Sequence, residues 1–154
     1  MVIVVDVSLT FWPSRRTANV LVSASPSGSL DALWILDWEL VKYGPASSDL
    51  GQFCAESWTS AHFRDREAGL RLLQSFKTAY IATAPPTLRP LNGRGGGAEV
   101  ALHLAAHVIG WTPVVGWSDD EEKVEKTLRP MFDHILAAWD ALKNNKDVDW
   151  WIVP

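Results

Sequence analysis

The apolar residues follow a strand-like order near the amino end and a helical one after it. Residues 2–7 (VIVVDV) form a β-branched run broken only by Asp6, which predicts a short strand. The polar stretch that follows contains Pro13 and is expected to be a loop. Residues 19–24 (NVLVSA) make a second strand candidate, and 25–31 (SPSGSLD) supply Pro26 and Gly28 for a reversal. Residues 33–38 then complete a hairpin, with Leu33 and Ile35 on one face and Trp34 and Leu36 on the other. Apolar side chains on both faces predict a hairpin covered on each side.

From about Ser47 the period becomes helical. Leu50, Phe53, Cys54 and Trp58 recur at intervals of three and four, so this helix should bury one stripe. The next segment repeats the pattern with Phe63, Leu70, Leu73, Phe76 and Tyr80, while Arg64, Arg66, Arg71 and Lys77 lie mostly off it. Pro85 and Pro86 should end it.

The loop 87–97 (TLRPLNGRGGG) carries neither the spacing of a phosphate loop with its lysine nor GxGxxG, so it reads as a flexible linker before a helix over 98–109. That helix sets Glu99, His103 and His107 four residues apart near one face. The spacing HLAAH lacks the glutamate of HExxH and has no cysteine partner nearby, which points to surface or interface histidines rather than a zinc site. After a loop at WTPVVGW, Ser118 and Glu121 have the spacing of a capping box, and Asp119 and Asp120 suit the positive end of the helix dipole. The last helix carries a stripe at Val124, Leu128, Met131, Ile135, Trp139 and Leu142. Pro130 inside it predicts a kink or two abutting helices. The closing VDWWIVP is apolar enough to be expected to dock on the body or to be an artificial end.

Composition narrows the class. A chain of 154 residues supports one core, and 47% hydrophobic with 21% charged residues is ordinary for a globular protein. Nine tryptophans point to a core, and an interface, built on indoles. A formal net charge of −4 with no long basic run gives no footprint for nucleic acid. The lone Cys54 excludes an internal disulfide framework and suits a buried, reduced thiol. The opening MVIVVDV lacks the basic flank of a signal peptide, and no run was expected to reach the roughly 20 apolar residues of a membrane span. A cytoplasmic location without membrane association is the expectation.

The chemistry gathers in residues 34–53 (WILDWELVKYGPASSDLGQF). An apolar run ends at Asp37, a turn with Gly44 and Pro45 follows, and a helix opens with Asp49 near its start. Ahead of it stand FWP at 11–13, Asn19 with VLVS, and LDWE at 36–39; GPASSDLGQF occupies 44–53 and HVIGWTP 107–113. This ordered series resembles the aminoglycoside phosphotransferase and choline kinase-like family, whose catalytic loop reads HGDFWxGN and is followed by a hairpin to IDWE and then GxxxxDLA. The resemblance covers Phe11 through the C-terminal helices. It implies an α+β fold, the mostly helical C-terminal lobe of a protein-kinase-like fold with a small β-hairpin. It implies also ATP-dependent phosphorylation of a small hydroxylated molecule, with Mg2+ and ATP as cofactors. Asn19 and Asp37 would hold the metal, and Asp49 would brace the catalytic loop. The acceptor stays open: aminoglycosides, choline, homoserine and other hydroxylated metabolites all fit.

The chain also departs from the pattern. Ser8, Leu9 and Thr10 stand where the family has HGD, so Thr10 occupies the position of the catalytic aspartate and cannot act as a base at neutral pH. Asp6 lies five positions before Phe11 rather than next to it, and 14–17 look like an insertion ahead of Asn19. Only ten residues precede Phe11, so the expectation is a single partial domain over 1–154 without the nucleotide-gripping N-terminal lobe, in which 1–10 do not match the family. Inactivity as written follows. Two alternatives remain: a pseudoenzyme or binding module that associates with itself or a protein partner through the surface facing the missing lobe, or a truncated gene product.

Overall fold

A computed structural model describes residues 20–27, 29–35, 44–85, 96–146 and 148. Strands β1 (Val20–Ala24) and β2 (Leu30–Ile35) form an antiparallel hairpin in which Val20 faces Ile35 and Val22 faces Leu33, with an irregularity between Ser23 and Ala24. The reversal is shorter than the sequence suggests. Ser25, Ser27 and Ser29 close it through their own hydroxyls, with Ser25 N–H donating to Ser29 O at 2.9 Å, so pairing resumes at Leu30 rather than Leu33. The predicted cover is not seen among the described residues, of which Leu30, Leu33 and Trp34 are exposed. Alternation in a strand says which side chains share a face, while cover depends on what the rest of the fold brings up to it.

Four helices make the body: α1 (Ala46–Phe63), α2 (Arg66–Thr83), α3 (Gly96–Val115) and α4 (Glu121–Lys143). α1 packs on α2 by one side and on α3 by another, and α3 also packs on α4. The fold is thus α+β and mostly helical. Its core is Leu50, Cys54, Ala55 and Trp58 of α1, Leu73 of α2, Val100, Ala101, Leu104, Ala105 and Val108 of α3, and Met131 and Ala138 of α4. Small residues let the helices approach closely. A Cβ at Gly51 would lie 2.5 Å from His103 Cβ, and one at Gly69 would lie 2.6 Å from Ala61 Cβ, so both glycines are needed for α1 to sit against its neighbours.

The stripe of α1 buries as its spacing predicts. Those of α2 and α4 reach the core in part, through Leu73, Phe76 and Tyr80 on α2 and Leu128, Met131 and Ile135 on α4, while one large residue of each stands out. On α2 the buried residues are Gly69 and Leu73, Leu70 is exposed, and Phe63 belongs to the last turn of α1. On α4 the buried face runs through Thr127, Met131, Ala138 and Ala141, and Trp139 stands in solvent. Alanine and glycine carry little hydrophobic signal in sequence, yet they occupy the faces where helices come closest.

Three helix boundaries also differ. α3 begins at Gly96 and runs through WTPVV to Val115, with Pro113 inside it. Pro113 costs one N–H bond in the last turn of the helix, and Gly116 stops the helix in the left-handed conformation at φ 69°. α4 is capped by Asp120, whose carboxylate accepts from Lys123 N–H at 3.0 Å; Ser118 Oγ accepts from Asp120 N–H at 3.2 Å. The helix therefore starts two residues later than a Ser118 box would place it. Pro130 lies within one continuous helix rather than between two.

α3 is long and apolar enough to cross a membrane by length and composition, contrary to the expectation that no run would qualify. In the fold it is the core helix, with Val100, Ala101, Leu104, Ala105 and Val108 fully buried. Of the final VDWWIVP only Val148 is among the described residues, and the strand expected over 2–7 lies outside them.

Candidate functional site

Of the residues singled out by the motif series, Asp49 is described, and Thr10, Asn19 and Asp37 lie outside the described residues. Asp49 sits in the first turn of α1. Pro45 precedes that turn; it offers no side-chain cap, and its carbonyl accepts from Ser48 N–H at 3.1 Å. A carboxylate so placed meets the positive end of the helix dipole, which favours its charged form. Burial first, and then the Asp49 carboxylate, push the Tyr80 phenol above its ordinary value, α2 being packed along α1. Tyr80 ends an aromatic series: Phe53 stacks on Phe76 at 3.9 Å between centroids, and Phe76 on Tyr80 at 5.9 Å.

On the α3 side the same helix carries a polar ladder. Ser48 Oγ lies 3.4 Å from His103 Nε2. Two turns on, Glu56 Oε1 accepts from Gln52 Nε2 at 3.3 Å and lies 3.6 Å from His107 Nε2. Glu56 is only 6% exposed, and its Oε2 is buried without a hydrogen-bond partner among the described residues. The sequence places His103 and His107 on a common face, and the structure turns that face toward α1. His103 is the exposed member; His107 is not a surface histidine, because it stands against a buried carboxylate with the Trp111 ring 6.0 Å away. Sequence reading missed Glu56 and Gln52, whose one signal is their spacing of four along α1. Among the described residues no group of three or more His, Cys, Asp or Glu converges as a metal site.

At the other end of α1, His62 Nε2 lies 2.9 Å from Thr127 Oγ1 on α4. The Thr127 hydroxyl also donates to Lys123 O at 2.7 Å, so the imidazole N–H is the donor to threonine. Burial, then Lys123 and Arg66, lower the His62 pKa from its ordinary value. Cys54 is fully buried, and burial pushes its thiol far up, which leaves it inert as a nucleophile at neutral pH.

No protein-family model matches the chain. Over 132 residues it is 35% identical to 4-hydroxytryptamine kinase of Psilocybe cubensis, a match that covers 84% of this chain and 33% of that protein. Over 110 residues it is 32% identical to 4-hydroxytryptamine kinase of Psilocybe cyanescens, covering 71% of this chain and 28% of that protein. The chain is a homologue of named kinases. It spans about a third of the length of these curated relatives.

Proposed function

We propose that this chain is the helical, acceptor-side part of an ATP-dependent kinase fold acting on a small hydroxylated molecule, altered at the position of its catalytic base. The observation that carries the reading is the placement of Asp49 in the first turn of α1, directly after the Asp37 and Gly-Pro sequence, in a chain similar to proteins named as kinases. Asn19 and Asp37 are hard oxygen donors of the kind Mg2+ takes, and they would hold it with the nucleotide phosphates; a bound Mg2+ would neutralise charge on the transferred group. Asp49 would fix the loop that approaches the helix amino end by accepting its backbone N–H groups.

Thr10 occupies the position of the base that takes the acceptor proton, and a threonine hydroxyl cannot do so at neutral pH. The chain as written is therefore proposed to be catalytically silent, a kinase-derived binding domain. Calorimetry with Mg-ATP, and a phosphorylation assay with 4-hydroxytryptamine as the first acceptor to try, test both parts. The expectation is no turnover by this chain. Measurable phosphorylation by the 154-residue chain would refute the silent reading. A structure of the metal-loaded protein in which Asp37 is remote from the ion would remove the kinase-site assignment.

A further inference from the structure

α4 turns its main buried face to α3 and leaves another apolar stripe in solvent: Phe132 is 53% exposed, Leu136 66% and Trp139 52%. The stripe continues in both directions at the spacing of a heptad seam. Glu125, Arg129, Phe132, Leu136, Trp139 and Lys143 alternate intervals of four and three, the arrangement that keeps one edge of a helix against a partner helix. Glu125 and Arg129 are well exposed and pair with each other at 3.2 Å along the helix surface. The seam is acidic at its start, apolar at its centre and basic at its end.

We propose that this seam is the contact by which two copies of the chain associate, α4 running antiparallel to α4 of the second copy about a two-fold axis near residue 134. In that register Glu125 of each copy meets Lys143 of the other, Arg129 lies over Trp139, and Phe132 meets Leu136. Each contact occurs twice, as a two-fold interface requires. Charge selects the direction. Parallel pairing in register would set Glu125 on Glu125, Arg129 on Arg129 and Lys143 on Lys143, whereas the antiparallel register opposes Glu125 with Lys143 and places a guanidinium on an indole face, the two Asp133 carboxylates flanking the axis being the one like-charge approach. The exposed bonds from Arg129 to Glu125 and from Lys126 to Glu122 cost little to exchange for contacts across the pair. With three apolar side chains from each copy the association is weak and reversible, below the size of a standard interface.

The test is sedimentation equilibrium of the 154-residue chain over a wide concentration range, with circular dichroism to confirm helix content in each variant. Wild type is expected to show a monomer-dimer equilibrium that weakens in high salt. Leu136→Asp, at an exposed position, is expected to stay folded and monomeric. Glu125→Lys and Lys143→Glu should each weaken dimerisation roughly threefold to tenfold, since two like-charge contacts replace two attractive ones, and the double variant should regain it. Mixed Glu125→Cys and Lys143→Cys chains should cross-link with each other and neither with itself. A chain that is monomeric at all concentrations, because another segment of the polypeptide or a different protein covers the stripe, would overturn the proposal. So would a dimer that survives Leu136→Asp, or self-cross-linking of a single cysteine variant.

Discussion

His107 Nε2 of α3 stands 3.6 Å from Glu56 Oε1 of α1, and the carboxylate it meets is almost wholly buried. The pair ties together the two helices that supply most of the core. Removing the imidazole would leave a buried carboxylate with Gln52 as its described donor. His107→Ala is therefore expected to cost about 1–3 kcal/mol, the range for leaving a buried polar group less well satisfied, and Glu56→Ala/His107→Ala less than the sum of the single changes. Urea denaturation of the four proteins in that cycle measures it; additive single effects would show that the pair is not coupled.

Helix approach at glycine gives a second expectation. A methyl group at Gly51 meets His103 Cβ at 2.5 Å and backbone atoms of α3 at 3.0 Å, so α1 and α3 must part; Gly51→Ala should destabilise by about 1–3 kcal/mol. Gly69→Ala, 2.6 Å from both Cβ and N of Ala61, should do the same. Gly110 on α3 has nothing within 4 Å of the corresponding position, and Gly110→Ala should stabilise by about 0.4–1 kcal/mol through helix propensity and lost freedom of the unfolded chain. Thermal melts of the three variants separate close packing from propensity.

The start of α4 offers a third. Asp120 bonds the Lys123 N–H, so Asp120→Ala should cost about 1 kcal/mol. Ser118 bonds the Asp120 N–H ahead of the helix, and Ser118→Ala should cost less. If the serine change proved the larger, the cap would be at Ser118 after all.

Two histidines set the pH response. His62 is lowered from 6.5 by burial and by Lys123 and Arg66, and His134 is lowered from 6.5 by burial. The unfolded chain therefore takes up protons at a higher pH than the folded one. Their contribution is intact above 6.5 and is lost as pH falls from there through the lower folded values. The urea midpoint should fall on acidification across that window, and the slope should flatten in a His62→Gln/His134→Gln variant. A midpoint that rises on acidification in wild type would reverse the sign of the argument.

Residues that speak through size and period were legible from the start. Leu50, Cys54 and Trp58 announce the buried face of α1, Pro85 the end of α2, and the alternation around β1 and β2 the hairpin. The ordered motifs from FWP to DLGQF single out Asp49 and set it in the first turn of α1, where it is found; Asn19 and Asp37 lie outside the described residues. Less legible were the residues whose role depends on a neighbour from elsewhere in the chain. Glu56 looks like any helical glutamate until His107 arrives across the α1–α3 contact, and Thr127 like a surface threonine until His62 does.

The sequence by itself determined which segments become helix or hairpin, because period and turn chemistry act over a few residues. Only the tertiary structure decided where helices come closest and which large apolar residues stay outside. Gly51 and Gly69 lie at close helix approaches, and Ala101, Ala105, Ala138 and Ala141 are buried beside larger core residues such as Leu104 and Met131, although they add little hydrophobic signal. Leu70 and Trp139 are exposed for that reason: helix axes come nearest where side chains are smallest, and that constraint overrides the pull of the bulkier apolar groups one position away.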